Sequence, residues 1–172
     1  MTTGELEKAK TESLLALDRD ALNVGVLLRM AMLERATGNM EAAIDYARKY
    51  QEQRPEDIDA HLVMGDLLRD SGELDAAEEH YKQAQIIQNS PVRPALRLAV
   101  IAARKGNIKA AKDYLSEAEG FAGRPADKTH VRQAATSLAV RLGKIHEAIR
   151  LTRAQEEFLS QSSGVKRGCP SK

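Results

Sequence analysis

The stretch Gly72-Glu73-Leu74-Asp75-Ala76-Ala77 decides the fold, because it recurs. Gly38-Asn39-Met40-Glu41-Ala42-Ala43 stands 34 residues before it, Gly106-Asn107-Ile108-Lys109-Ala110-Ala111 stands 34 residues after it, and Gly143-Lys144-Ile145-His146-Glu147-Ala148 follows 37 later. In each copy a glycine is followed two residues on by an apolar side chain and five residues on by alanine. Glycine adopts positive φ at little steric cost, so it can end one helix and turn the chain. The apolar residue staples the next helix as it starts, and alanine lets two antiparallel helices approach closely. Pro55, Pro91 and Pro125 precede the following helix at similar offsets, where a missing N–H does no harm. A fixed period of this length is the mark of a repeat architecture.

Composition agrees. Aromatics supply 3% of the 172 residues and Trp is absent, so the core must be built from small and aliphatic side chains. Charged residues reach 30%, and Ala, Leu, Glu, Lys and Arg recur in every window, which favours helix. Alternating β-branched runs bounded by hairpin turns do not occur, so the chain is expected to be all-α. Cys169 stands alone in a Ser-, Gly-, Lys- and Pro-rich tail, which excludes a disulfide scaffold. No run approaches the ~18 apolar residues of a membrane span, and Met1-Thr2-Thr3-Gly4-Glu5 lacks the order of a secretory signal. A soluble cytoplasmic protein is expected, or a periplasmic one if a signal has been removed.

These residues resemble the tetratricopeptide repeat family, whose 34-residue unit is an inner helix, a turn and an outer helix. In residues 58–91, His61, Met64, Gly65, Leu68, Gly72, Ala77, Tyr81 and Ala84 fall on the family's signature positions, with His61 in place of the usual Trp. Residues 24–57 keep Leu27, Met30, Ala31, Gly38, Ala43 and Pro55, and residues 92–125 keep Leu98, Ala99, Gly106, Ala111, Ala118 and Pro125. A fourth unit, 129–160, keeps Gly143 and Ala148 but has Thr136 where Gly or Ala is usual. Gly4 to Ala9 repeat the turn-plus-alanine form 34 residues before Gly38, which implies an orphan outer helix. The resemblance thus implies a right-handed α-solenoid of about nine helices in one array over 1–160. Its helices are expected near 4–17, 21–36, 40–53, 57–70, 74–88, 91–104, 108–121, 127–141 and 145–160, with a disordered tail over 161–172.

In this family the inner helices line a concave groove that holds a protein or peptide. Carried over, the groove takes Leu28, Met32 and Arg35 from the first inner helix and Asp59, Leu62, Asp66, Arg69 and Asp70 from the second. The third supplies Arg93, Leu96, Arg97, Val100 and Arg104, and the fourth His130, Gln133, Ser137 and Arg141. Leu28, Leu62 and Leu96 share one repeat position and are expected to form an apolar ladder suited to a peptide with apolar anchors and an acidic end. Arg93 and Arg97 stand at basic positions of the family's carboxylate clamp. Leu28, Met32 and Val63 replace its Lys and Asn residues, so a co-factor gripping chaperone tails is disfavoured.

Other chemistry finds no support. His61, His80, His130 and His146 have neither i,i+4 pairing nor Cys or acidic ligands at metal spacing. Tyr46, Tyr50, Tyr81 and Tyr114 fall on outer helices, where packing is the expected role. No nucleophile–base set, phosphate-binding loop or carboxylate pair stands out. The expectation is a non-enzymatic scaffold without metal or cofactor.

Charge separates along the chain: residues 1–86 carry 10 Lys/Arg and 18 Asp/Glu, residues 87–172 carry 16 and 7. The basic half keeps open an alternative, a nucleic-acid-binding helical repeat, although Tyr114, Phe121 and Phe158 are too few for a stacking platform. Leu6, Leu14 and Leu17 near the start, and Ile145, Ile149 and Phe158 near the end, form apolar faces without evident caps. They suggest either a piece of a longer bacterial repeat protein or a homo-oligomer joined through acidic-to-basic ends.

Overall fold

A computed structural model describes residues 3–20, 23–87, 92–144 and 147–154. Every regular element among them is an α-helix: α1 (Thr3–Arg19), α2 (Val24–Ala36), α3 (Met40–Gln53), α4 (Ile58–Asp70), α5 (Leu74–Ile87), α6 (Val92–Arg104), α7 (Ile108–Phe121) and α8 (Pro125–Arg141), with further helical residues at 147–154. The chain divides into two compact units, Met1–Ser90 and Pro91–Lys172. In the first, α2 pairs with α3 and α4 with α5, α3 packs on α4, and α1 lies against α2. In the second, α6 pairs with α7, and α8 packs on both.

One turn explains the period. Gly38, Gly72, Gly106 and Gly143 have φ of +83°, +89°, +79° and +68°. Each donates its N–H to a carbonyl three residues back, and the next residue donates five back, as in Gly106 N to Ala103 O (3.2 Å) and Asn107 N to Ala102 O (2.8 Å). The pair satisfies carbonyls that a helix end otherwise leaves without partners. The residue after the glycine then opens the next helix. Asn39 and Asn107 are N-caps whose side chains accept from Ala42 N and Ala110 N. Gly4 is different: it lies inside α1 and starts no turn. Two helix starts also differ from expectation. Asn23 caps α2 through Val26 N, so that helix begins at Val24, and α8 begins two residues early because Pro125 occupies its first position.

The core is built largely of alanine. Ala31, Ala43 and Ala47 pack with Met64 and Leu67 in the first unit, beside a cluster of Leu27, Tyr50 and Ala60. In the second unit Ala99, Ala102 and Ala111 pack with Leu115 and Leu138, and Val92, Ala95, Ala118, Ala122 and Val131 form a neighbouring cluster. The alanines that follow the turn glycines, Ala43, Ala77 and Ala111, are wholly buried, which lets inner and outer helices close on each other. The few large residues carry the hydrophobic drive, at roughly 1.5–3 kcal/mol for each fully buried Leu or Met. Two polar contacts secure α1 and α4. Lys10 meets the buried carboxylate of Glu34 at 2.8 Å, joining α1 to α2, and Tyr50 Oη donates to Asp57 Oδ2 at 2.7 Å, fixing the residue that caps α4.

Candidate functional site

The residues assigned to a groove divide between the two units. In the first unit most are committed to the fold. Leu62 is 1% exposed, and Leu28 is half-buried against the Leu27, Tyr50 and Ala60 cluster. The expected ladder therefore fails at its central rung: Leu62 is a core residue, and a partner could reach it only by opening the unit. Met32, 56% exposed, is the apolar side chain that α2 does present.

Four charged side chains of this unit form a network. Asp66, only 9% exposed, accepts from Tyr81 Oη at 2.7 Å and from Arg69 Nη1 at 3.0 Å. Arg69 also donates to Asp70 Oδ1 through Nε and Nη2, and Arg35 Nε donates to Asp70 Oδ2 at 2.8 Å. Burial alone would raise the pKa of Asp70, but the hydrogen bonds from Arg69 and Arg35 outweigh it and hold the carboxyl below its ordinary value. Asp66 and Arg69, expected to face a partner, thus satisfy each other. Acid and base on neighbouring turns of one helix are within reach by geometry, and Arg35 bridges from α2.

The second unit is arranged otherwise. Ala99, Val100 and Ala103 on α6, Leu115 on α7, and Ala134, Ser137, Leu138 and Arg141 on α8 enclose a pocket of about 190 Å³. Val100, Ser137 and Arg141 are among the expected groove residues. Leu96 is half-buried between the two core clusters of the unit. Arg93 and Arg104 are exposed, and Arg97 Nη1 reaches Arg93 O at 3.5 Å. Arg93, Arg97 and Arg104 are the charged residues of α6, while α8 carries Lys128, Arg132 and Arg141 against a single acid, Asp127, which Arg124 engages at 2.9 and 3.1 Å. An apolar pocket thus opens between two basic helices.

A comparison of hairpins accounts for the pocket. In α4 and α5, Gly65 faces Tyr81, whose ring fills the space between them. The residues 34 later are Ala99 and Leu115, a pair with far less reach, and both line the pocket. That small-for-large exchange was visible in the sequence, although repeat position alone did not single it out. Other hollows are less suited to a ligand. A depression of about 540 Å³ beside Ile87 is walled mainly by the polar turn at 53–58. One of about 310 Å³ lies among Glu119, Ala122, Lys128, Val131 and Arg132.

Tyr50 and Tyr81 are buried in packing, as expected of outer-helix aromatics. His61 and His80 stand with ring centroids 5.6 Å apart. No group of three metal-ligating side chains occurs among the described residues, and no described helix is long and apolar enough to cross a membrane. His146, Phe158, Cys169, Pro91 and the tail at 161–172 lie outside the described residues.

A model of the tetratricopeptide repeat family matches residues 28–94 and again 62–127, together more than half of the chain. No curated protein matches it. Among solved structures, MamA is similar with a TM-score of 0.68 at 16% identity over 93% of this chain and 92% of that one. A thermophilic TPR protein in Thermus thermophilus gives 0.76 at 19% identity over 90% and 83%. YrrB, a TPR protein with an unusual peptide-binding site, gives 0.60 at 16% identity over 85% and 74%. At such identities the likeness shows the fold class alone, the all-α tetratricopeptide-like solenoid. The repeating turn, the buried alanines and the family match lead to one conclusion: this chain belongs to the tetratricopeptide repeat family.

Proposed function

We propose that the chain is a non-catalytic protein-interaction module and that its partner docks on the α6 and α8 face of the second unit. The fold itself supports a protein–protein interaction scaffold. The observation that carries the finer reading is the pocket between these helices, with apolar walls from Ala99, Ala103 and Leu138 and Arg141 at its edge. An apolar hollow with a few polar groups at hand is the usual form of a binding site. The first unit contributes less, because Leu62, Asp66 and Arg69 are already engaged within it.

The test is capture of partners from the source cell by the intact chain and by a variant carrying Val100→Asp and Arg141→Glu. Partners bound by the parent and lost by the variant, with helicity unchanged, support the site. Equal capture by both would place the docking surface elsewhere. Leu62 is unsuitable for this purpose, since its replacement would disturb the core.

Nucleic acid is the competing ligand, on the strength of the arginines of α6. It predicts binding of short single strands that weakens steeply with salt. Neither α6 nor α8 contains Phe, Tyr or Trp on which a base could stack.

A further inference from the structure

We propose that His61 on α4 and His80 on α5 form a two-histidine site for a divalent late transition-metal ion, which clasps the two helices of that hairpin. The site belongs to the first unit and does not depend on the docking reading for the second. Spacing along one helix gives no hint of it, because the pair is made by the packing of α4 on α5. That packing sets the ring centres 5.6 Å apart, with the ring planes inclined at 44°.

The separation suits one shared ion. With a metal–nitrogen bond of about 2.0–2.1 Å and roughly 1.1 Å from nitrogen to ring centre, two imidazoles on one ion have centres about 5.1 Å apart at a tetrahedral angle and about 6.3 Å apart when opposite. The observed pair falls between these limits. His61 is already held as a ligand would be. Its Nε2 lies 3.0 Å from Pro55 O, and a carbonyl only accepts, so Nε2 carries the proton and Nδ1 keeps the lone pair. Metal-bound histidines are fixed in the same way, with the far N–H on a carbonyl or carboxylate.

His80 supplies a nitrogen in want of a partner. Its Nδ1 is buried and makes no hydrogen bond among the described residues, a condition few buried polar atoms tolerate. Burial, and secondarily His61, lower its pKa, so the ring stays neutral and able to donate a lone pair near pH 7. Three donors drawn from His, Cys, Asp and Glu are not gathered among the described residues, so the other coordination positions fall to Gln51 and water. Gln51 Nε2 stands 3.5 Å from His61 Nδ1, and a half-turn of the amide presents its oxygen instead. Imidazole donors suit copper, nickel and zinc, whereas magnesium and calcium take oxygen. The surplus of acids in residues 1–86, 18 against 10 Lys and Arg, draws cations of every kind, and the imidazole pair selects among them.

The experiment titrates the full chain with zinc chloride at neutral pH and follows the imidazole Hε1 resonances, with calorimetry for the stoichiometry. Expected are one ion per chain and joint shifts of His61 and His80 while His130 stays in place. Copper(II) should bind more tightly than zinc, following the usual order of divalent affinities. Loss of a residue that only supports a ligand already costs about 10–100-fold in metal affinity, so His61→Gln and His80→Gln should each cost at least that. Zinc should raise the melting temperature of the parent and leave that of either variant unmoved. Cys169→Ser, which removes a competing thiol, should bind as the parent does. His61 is half-buried and serves as the deciding variant where His80→Gln lowers helicity.

Equal zinc binding by the parent and His61→Gln would overturn the site. So would shifts confined to His130 or His146, or binding that disappears in Cys169→Ser. Displacement of zinc by an equal concentration of magnesium chloride would assign the uptake to the acidic surface and overturn the imidazole pair. If millimolar zinc moves neither His61 nor His80, the two rings are neighbours in packing alone and the proposal falls.

Discussion

A β-carbon added at Gly65 would stand 2.5 Å from Cε1 of Tyr81 and 2.8 Å from Cδ1, so the ring of α5 lies directly on the backbone of α4. Tyr81 is wholly buried and its hydroxyl is anchored on Asp66, which leaves the ring nowhere to retreat without breaking that hydrogen bond. Gly65→Ala is therefore expected to destabilise the chain. Alanine gains about 1 kcal/mol of helix propensity over glycine, but overpacking costs about 1–3 kcal/mol and the strained hydrogen bond about 1 more. Gly120→Ala in α7, where nothing stands within 4 Å, receives only the propensity gain. Urea unfolding of the two variants should move in opposite directions. A shift in the same direction would mean that the close approach does not limit the hairpin.

Tyr50 is expected to ionise late. Burial is the main cause, the hydrogen bond to Asp57 the second, and together they push the phenol up to about 12. In the unfolded chain it titrates near 10, so the stability Tyr50 contributes is intact below about pH 10 and is lost as pH rises from there towards about 12. Tyr50→Phe should cost about 1 kcal/mol at neutral pH, the usual net worth of such a bond, and should remove the late phase from an absorbance titration of the folded chain. A titration identical to that of the parent would disconnect the phase from Tyr50.

Acid should weaken the first unit in two stages. Burial, and secondarily the neighbouring His61, lower the pKa of His80, and its Nδ1 is buried without a hydrogen-bond partner among the described residues. The folded chain therefore prefers neutral His80, while the unfolded chain takes up a proton below about 6.5. The stability tied to neutral His80 is present above about pH 6.5 and is lost as pH falls through the lower folded value. Asp70, held low by Arg69 and Arg35 against the effect of burial, loses its contribution only further down, as pH falls below the ordinary range near 4. Thermal melts at about pH 7.5 and 5.5 should show a smaller drop for His80→Gln than for the parent. Equal drops would assign the first stage to other groups.

Much of this fold could be read locally, and the reason lies in the turns. The glycine, the asparagine or other cap after it, and the first apolar residue act within a few positions of one another, so α3 at Met40–Gln53 and α7 at Ile108–Phe121 begin and end where the sequence suggested. Side-chain direction was harder to read. Leu62 shares its repeat position with Leu28 and Leu96, yet it is buried while they are half-buried, because exposure depends on what each inner helix packs against. Likewise, acidic and basic residues at nominal groove positions read as a charged surface until distance shows that Arg35, Asp66, Arg69 and Asp70 bind one another. The α6 and α8 pocket was legible only by comparing hairpins, where Ala99 and Leu115 replace Gly65 and Tyr81.

The turn glycines offer a test in which sterics and backbone can be separated. At Gly106 a β-carbon would meet nothing within 4 Å, yet φ is +79°, in the left-handed region that L-residues enter at a cost of roughly 1–2 kcal/mol. Gly106→Ala should accordingly destabilise by roughly 1 kcal/mol or more, although it removes no contact and creates no clash. Asparagine tolerates this conformation better than other side chains, so Gly106→Asn should lose less than the alanine variant. The ranking of Gly above Asn above Ala in thermal melts is the decisive outcome. If alanine and asparagine lower the melting temperature equally, the turn has relaxed out of positive φ and the paired hydrogen bonds from Gly106 and Asn107 do not hold it. The same ranking is expected at Gly38 and Gly72, where φ is likewise positive and the surrounding space is open.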